Sequence, residues 1–364
     1  MSISTMTDAH PLVCRFGALG DMVLLTPLLQ QLYLRSGLPC DIVGVGGWNR
    51  SLFAEMPWVR DVYSIDSRSA PYWFNRSQRE LVRQLRHRQH RFVWVCETST
   101  KSYRLLARAG ITRANSINQL DLEPVAGEHY CDKWLRLGNL SPPGFDAPSL
   151  AENPSGTRLF VDQSETLECH HWLHKRGLDS AAPLLCIQAG SKRTTRRGRA
   201  NRASNSKYWH ESLWAELIDT IVARLPDVQV MLCGVPAESD MCDAIKVLCS
   251  NQEQVHNVAD DLPLRRLLAL LSMAHSCISV DTGPAHAAAA LDCPLVVLFG
   301  KASPARFRPV SRTSPVQVIQ GFVDLGLADL GLAKHTADAS PDIDHITVQQ
   351  AFAGWCDASL EQSS

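Results

Sequence analysis

The sequence predicts an α/β protein with two doubly wound domains, each built on a parallel sheet between layers of helices. Three observations support this prediction. Short apolar runs that suit buried strands alternate with helical patterns along most of the chain. The length of 364 residues is comfortable for two domains. Turns that carry glycine and aspartate follow two of the predicted strands, as is typical of the edge of an open α/β sheet where ligands bind.

The first half of the chain is expected to contain six strands, with helices between several of them. The strands are 12–16, 41–45, 62–65, 92–96, 113–117 and 158–161, and the helices include 77–90 and 102–109. The glycine-containing stretch 44–49 lacks the third glycine of a dinucleotide fingerprint. We therefore interpret it as a loop and not as an NAD site.

A second series of strands and helices begins near Pro183. The strands are 184–188, 228–233, 255–257, 277–280 and 295–299, and the helices are 209–224, 239–249, 264–274 and 285–291. Stretches 140–154 and 321–345 are expected to be irregular.

These patterns predict where the domains begin and end. We place the first domain at 1–165, a connecting helix and linker at 166–182, and the second domain at 183–345. A helix at 164–177 is expected to bridge the two halves. We also expect a closing helix at 347–358 to pack back on the first domain.

Composition and charge exclude several classes of protein. The net charge of −1 gives no general attraction to nucleic acid, and no apolar run reaches the length of a membrane span. Residues 1–11 lack the charged-then-apolar pattern of a signal peptide. The twelve cysteines are scattered without a C-x-x-C pair, which favours buried thiols in a reducing cytoplasm over a metal site or disulfides.

The segment 279–290, SVDTGPAHAAAA, predicts a strand end, a tight turn and the start of a helix. The backbone N–H groups in the first turn of such a helix attract an anion such as a diphosphate. Gly283 allows a ligand to approach the backbone closely, and Asp281, Thr282 and His286 lie in or beside the turn. By itself, the segment fits equally well with a plain strand–turn–helix that Asp281 caps.

A similar junction lies near the start of the chain, at 15–27. Gly17 and Gly20 loosen the turn after the first strand, and Asp21 stands at its mouth. Aspartate is also a common helix N-cap. The two roles are compatible, because a capping position is fixed and exposed.

The Gly-x-x-Gly-Asp motif at 17–21 and the Asp-Thr-Gly-x-x-His motif at 281–286, taken together, resemble glycosyltransferase family 9. Its typical members are the ADP-heptose heptosyltransferases of lipopolysaccharide core synthesis. The resemblance covers about 13–309 and includes the Gly-Val-Pro-Ala-Glu turn at 234–238 and the Lys-Tyr-Trp at 207–209. It implies the GT-B architecture, in which two Rossmann-like domains face a central cleft.

The resemblance implies an inverting, metal-independent transfer of heptose from ADP-heptose, with no cofactor. Asp21 matches the family's catalytic aspartate, and as general base it would take the proton of the acceptor hydroxyl. Lys207 and the N–H groups near Thr282 would stabilise the leaving diphosphate. Glu238 would hold the ribose hydroxyls, although a charge at a helix N-terminus explains this residue equally well. The implied donor site comprises Lys207, Glu238, Asp281, Thr282, Gly283 and His286.

The loop 191–202 is longer and more basic than the resemblance implies, with six positive residues and no acid. We hypothesise that Ser191, Arg193, Arg196 and Arg197 contact the donor diphosphate or an anionic acceptor, because the loop emerges from a strand end. A solvated loop is the alternative.

A second basic stretch lies in the first half, where Arg79, Arg83 and Arg86 share one helix face. This face would suit anionic headgroups at the inner membrane leaflet, and a solvated helix is the alternative. Neither basic stretch carries a nucleic-acid recognition motif.

The sequence therefore predicts a cytoplasmic glycosyltransferase, peripheral on the cytoplasmic face of the inner membrane. Its partners would be a nucleotide-sugar donor and an anionic glycolipid acceptor, with no nucleic acid. Two alternatives share the fold: a transferase that uses another nucleotide sugar, and one that modifies a protein. A third is a non-catalytic binder of nucleotide sugars or glycolipids, whereas a dehydrogenase is disfavoured.

Overall fold

The computed structural model divides after Phe160 into two compact units. The structure describes residues 8–178, 181–192, 195–196, 199–200, 205–322 and 341–360. Each unit carries its own parallel sheet with helices on both faces. Among the described residues, no helix is both long and apolar enough to cross a membrane.

Unit 1 is built on a five-stranded parallel sheet in the order β3-β2-β1-β4-β5. The strands are β1 Leu12–Cys14, β2 Cys40–Val45, β3 Val59–Ile65, β4 Val93–Val95 and β5 Ile117–Asn118. The helices are α1 Leu19–Val23, α2 Thr26–Ser36, α3 Trp48–Leu52, α4 Arg76–Arg88, α5 Thr100–Arg108 and α6 Tyr130–Asn139. Buried residues of α4 and α5 form a core with β1, β2 and β4, whereas α2 packs against α6.

Unit 2 contains a six-stranded parallel sheet in the order β10-β9-β6-β11-β12-β13. Its strands are β6 Leu184–Gln188, β7 Thr195–Arg196, β8 Arg199–Ala200, β9 Gln229–Leu232, β10 Val255–Asn257, β11 Ser276–Val280, β12 Leu295–Phe299 and β13 Val316–Gln320. Its helices are α7 Gln163–Lys175, α8 Glu211–Arg224, α9 Ser239–Leu248, α10 Leu264–Met273, α11 Gly283–Ala290, α12 Pro304–Phe307 and α13 Val348–Leu360. Helices α8, α9 and α13 share one core, whereas α10 packs against α7 and α11.

The closing helix does not belong to the first unit, so the expectation for 347–358 is wrong. Helix α13 packs on β12, β13 and α8 of unit 2, where Ala351 and Trp355 are buried. The indole N–H of Trp355 donates a hydrogen bond of 2.9 Å to Ser276 Oγ at the start of β11. The apolar face of α13 is therefore satisfied within unit 2.

Two further expectations need correction, and one strand was not predicted. Residues 158–161 form no strand, because the N–H of Arg158 donates to Thr26 Oγ1 and Phe160 packs edge-on against Trp58. The helix expected to bridge the halves, α7, packs against α10 inside unit 2. The edge strand β13, which pairs with β12, was not predicted. Of the irregular stretch expected at 321–345, residues 323–340 lie outside the described residues.

All twelve cysteines are free thiols, and eleven of them are buried. They lie in both units, mostly in strands or on the inner faces of helices. Burial raises the pKa of most of them, including Cys40 of unit 1 and Cys293 of unit 2. They therefore act as small core residues.

Candidate active site

Asp21 lies at the carboxyl end of the unit 1 sheet, on the short helix that follows β1. Its Oδ1 accepts a hydrogen bond of 2.9 Å from Arg15 Nη2, and its Oδ2 accepts one of 2.9 Å from the N–H of Ala18. The side chain of Asp21 is 31% exposed and that of Arg15 is 15% exposed. Asp21 is thus held from two sides while one part of the carboxylate stays open to solvent.

A second carboxylate, Glu97, follows β4 at the same edge and is buried. Its Oε1 accepts a hydrogen bond of 2.6 Å from the N–H of Phe16, and its Oε2 accepts one of 3.1 Å from Ser102 Oγ. Arg15 Nη1 lies 3.9 Å from Glu97 Oε1. Burial opposes the positive charge of Arg15, but Asp21 and Glu97 outweigh it and raise the pKa of the guanidinium. Arg15 is therefore a fixed cation between two carboxylates.

In unit 2, Lys207 and Asp281 form an ion pair across 74 residues of sequence. Lys207 Nζ lies 2.7 Å from Asp281 Oδ2 and also donates to the Asp281 carbonyl. The Asp281 side chain is 9% exposed and that of Lys207 is 25% exposed. The pair holds the ammonium group at the point where β11 ends.

Helix α11 begins directly after this pair. Thr282 is its N-cap residue, and Gly283 and Pro284 open its first turn. His286 lies in this first turn and is buried. The next four residues are buried alanines, so the helix axis can lie close to the sheet. The structure thus places a helix N-terminus beside Lys207, and such a terminus attracts anions.

Glu238 lies at the carboxyl end of β9 and is 5% exposed. The N–H of Val235 donates 3.2 Å to its Oε2, and Gln188 Nε2 lies 3.5 Å from the same atom. Burial raises the pKa of the carboxyl, and these two donors oppose the rise. Gly190 leaves room for the carboxylate, because an added Cβ would lie 2.5 Å from Glu238 Cδ.

The basic loop begins at the end of β6 and is only partly described. Ser191 is buried, β7 and β8 pair as an antiparallel ribbon, and Arg196 faces Arg199 in its register. Arg193 and Arg197 lie outside the described residues. The hypothesis that this loop contacts phosphate stays a prediction.

The predicted site residues fall into two groups, one in each unit. Gly17 packs against Asp21, and Gly20 is buried in α1. Five predicted donor residues gather at the carboxyl ends of β9 and β11: Glu238, Asp281, Thr282, Gly283 and His286. Lys207 joins them through Asp281.

Sequence reasoning missed Arg15 and Glu97. Their positions could have identified them as candidate site residues, because each is a polar residue that directly follows an apolar strand of the predicted sheet.

A separate charged cluster lies at the opposite edge of the unit 1 sheet, where β2 begins. Asp8, Asp41 and His90 approach one another there within ligand distance of a metal ion. Arg60 Nη2 already lies 2.5 Å from Asp8 Oδ2 and 2.7 Å from Asp41 Oδ2. Burial opposes the ionisation of Asp41, but hydrogen bonds from His90 and Arg60 lower its pKa to about 2. Arg60 therefore supplies the positive charge that balances these two carboxylates, in the place that a metal ion would otherwise take.

Comparison with known proteins identifies a matching family and several relatives. The model of "Glycosyltransferase family 9 (heptosyltransferase)" matches residues 195–320, which contain the Lys207, Glu238 and Asp281 group. The chain is 24% identical to lipopolysaccharide heptosyltransferase 2 of Salmonella typhimurium, over 87% of this chain and 90% of that protein. Residues 195–320 of this chain belong to glycosyltransferase family 9. The chain is accordingly a glycosyltransferase.

Solved structures of the family share the fold of this glycosyltransferase. The E. coli ADP-heptose lipopolysaccharide heptosyltransferase II superposes with a TM-score of 0.71 at 20% identity, covering 98% of this chain and all of that one. An E. coli heptosyltransferase solved with ADP gives a TM-score of 0.66 at 16% identity, with coverage of 98% and 100%. The predicted fold class, a GT-B protein with two Rossmann-like parallel-sheet domains, is confirmed.

Proposed function

We propose that this glycosyltransferase moves heptose from ADP-heptose to a lipopolysaccharide core or a related glycoconjugate acceptor. The heptosyltransferase relatives support the choice of sugar, and a relative solved with ADP supports the choice of nucleotide. The proposal rests above all on the grouping of Lys207, Asp281 and the N-terminus of α11 at one edge of unit 2.

The unit 2 edge is suited to a nucleoside diphosphate. The Lys207 ammonium and the first-turn N–H groups of α11 are charges and dipoles fixed before the ligand arrives, and they would stabilise the charge that develops on the leaving diphosphate. The Glu238 carboxylate is suited to accept hydrogen bonds from the two ribose hydroxyls. These positive groups offer the stabilisation that a metal ion would otherwise supply, so we propose that transfer requires no metal.

In the proposed reaction, Asp21 is the general base. The acceptor hydroxyl oxygen attacks the anomeric carbon as the bond from that carbon to the diphosphate oxygen breaks. The hydroxyl proton passes to Asp21, and ADP leaves with the electron pair. Displacement from the opposite face inverts the anomeric centre. Arg15 Nη2, which lies 2.9 Å from Asp21 Oδ1, orients the carboxylate for this role.

A thermal-shift panel with ADP, UDP, GDP and ADP-heptose, with and without EDTA, tests the donor. A ligand at 100 times its Kd stabilises the protein by about 2.7 kcal/mol, which is readily measured. We expect EDTA-insensitive stabilisation by ADP and ADP-heptose only. A preference for UDP or GDP would rule out heptose from ADP-heptose, and the lack of any shift would refute the donor site.

Two variants separate the proposed roles. Asp21→Asn should lower kcat by about 100-fold or more without changing ADP affinity, because it removes the base and lies in the other unit. Lys207→Ala should weaken ADP binding by about tenfold or more, since a charge-assisted hydrogen bond to phosphate is lost. Near-normal turnover by Asp21→Asn would refute the base assignment. ADP binding without transfer to membrane glycolipid or protein acceptors would favour the non-catalytic binder.

We place the protein in the cytoplasm. The observation behind this proposal is the set of twelve free cysteines, since a reducing compartment keeps such thiols unpaired. Fractionation of cells that express the full chain tests it.

A further inference from the structure

The turn that connects β3 to α4 exposes two adjacent aromatic side chains. Trp73 is 70% exposed and Phe74 is 89% exposed, the largest fractions among the large hydrophobic side chains that the structure describes. Both belong to the 3-10 turn Tyr72–Phe74. Two neighbouring aromatic rings in water are unfavourable, and such patches mark surfaces that contact a partner.

The helix that follows this turn presents a row of arginines to solvent. Arg76, Arg79, Arg83 and Arg86 are all exposed and follow the spacing of one helix face, while the apolar residues of α4 are buried in the core. The single acid in this helix, Glu80, is paired with Arg83 at 2.6 Å. The face therefore carries a clear excess of positive charge.

Three contacts join the aromatic turn to the helices beside it. Arg79 Nη1 donates to the Trp73 carbonyl, so the cation fixes the turn. The Arg108 guanidinium of α5 lies 4.7 Å from the centre of the Tyr72 ring. Arg86 Nε donates 2.7 Å to the Arg108 carbonyl. We call the surface formed by Trp73, Phe74, Arg76, Arg79, Arg86 and Arg108 the basic-aromatic surface.

This surface adjoins the edge of the sheet where Asp21 lies. The loop that leads from β3 to the aromatic turn also carries Arg68, whose Nη1 lies 3.9 Å from Glu97 Oε2. Glu97 contacts Arg15, and Arg15 is paired with Asp21. A partner bound at the turn would therefore lie on the same side of unit 1 as the proposed general base.

We propose that the basic-aromatic surface docks unit 1 on an anionic lipid bilayer. Arginines attract the negative surface of such a bilayer, and exposed tryptophan and phenylalanine insert at the level of the headgroups. The combination fits a lipid surface better than a small anion, which would leave the two aromatic rings in water. The inference rests on the proposed function only in that a lipid-linked acceptor would give the docking its purpose.

Sedimentation of the full-length protein with phosphatidylcholine vesicles, with and without phosphatidylglycerol, tests the proposal. We expect binding only when phosphatidylglycerol is present, and weaker binding at high salt. The R76Q/R86Q variant should bind about 25-fold more weakly, because each arginine contributes roughly fivefold. The W73S/F74S variant should bind at least about tenfold more weakly, because it removes the side chains that insert.

Matched controls come from unit 2, where V247S/L248S removes exposed aliphatic side chains and K175Q/R224Q removes exposed charges. These variants should bind vesicles like the unaltered protein. Equal vesicle binding by W73S/F74S and the unaltered protein would overturn the proposal. So would a W73S/F74S variant that changes only the oligomeric state, which would identify a second copy as the occupant.

The readouts keep the two proposals apart. ADP affinity and transfer to a detergent-solubilised acceptor should be unchanged in W73S/F74S, because these side chains touch none of the proposed catalytic groups. If ADP gives no thermal shift with the unaltered protein, the result counts against the proposed function alone. If the unaltered protein transfers sugar normally but does not bind vesicles, the result counts against the docking alone.

Discussion

Replacing Gly190 by alanine should weaken ADP binding without touching the ligand. The added Cβ would lie 2.5 Å from Glu238 Cδ and 2.5 Å from Oε1, whereas an ordinary contact needs at least 3.4 Å. The carboxylate must therefore move by about 1 Å, which is enough to lengthen a hydrogen bond past its useful range. If Glu238 holds the ribose, one or two charge-assisted hydrogen bonds of about 1.5–3 kcal/mol each are weakened.

We therefore expect the Kd of ADP to rise between about tenfold and about 100-fold in Gly190→Ala. Titration calorimetry of ADP measures this change directly, and thermal unfolding shows whether the variant is folded, since overpacking costs about 1–3 kcal/mol. Gly47→Ala is the matched control, because an added Cβ there meets no atom within 4 Å. A folded Gly190→Ala variant with unaltered ADP affinity would refute the ribose role of Glu238.

Three further predictions concern single side chains. Glu238→Gln should raise Tm near pH 7 while it weakens ADP binding. Burial raises the pKa of this carboxyl, so its ionised form lowers the free energy of unfolding at that pH, and the neutral amide removes this penalty. A lower Tm in the variant would contradict this reasoning. Asp41→Asn should lower the free energy of unfolding at pH 7 by about 2 kcal/mol, since the pKa of Asp41 falls from 3.8 to about 2 on folding. That contribution is complete above about pH 5 and disappears as pH falls towards 2, so the free energies of unfolding of the two proteins, measured by denaturant titration, should converge in acid. A difference in free energy that stays constant with pH would contradict the assigned role of Asp41. Gly17→Ala should displace Asp21, because the new methyl group would collide with the Asp21 Cβ. We expect a lower kcat with unchanged ADP affinity. A kcat equal to that of the unaltered protein would show that the position of Asp21 does not depend on Gly17.

The order of strands and helices could be predicted well because the strands are buried apolar runs. Unit 2 shows this most clearly, since β6, β11 and β12 are fully buried and consist mostly of apolar residues, with β12 apolar throughout. The edge strand β13 is only half-buried and its sequence, VQVIQ, mixes polar and apolar residues, so it gave a weak signal. Helix α13 was predicted as an element, but its location depends on contacts such as Trp355 with Ser276 that no local pattern contains.

The site could be predicted where one short segment holds the chemistry. Asp21, Thr282 and Gly283 lie where a strand leads into a helix, at junctions that the sequence marks with glycine. The partners that hold such groups come from distant segments, as Lys207 does for Asp281. Identifying such a pair from the sequence requires knowing that β6 and β11 are neighbours in the sheet, which a single sequence does not reveal.

The buried thiols provide an intrinsic probe of how this protein opens. Cys14, Cys40, Cys96 and Cys131 report on unit 1, whereas Cys186, Cys233, Cys277 and Cys293 report on unit 2. A thiol reagent added to the native chain should modify a buried cysteine only after its surroundings have unfolded. Mass spectrometry of the labelled peptides would then give the opening free energy of each unit separately, without engineered probes. With ADP present, slower labelling confined to the unit 2 cysteines would report nucleotide binding as local protection.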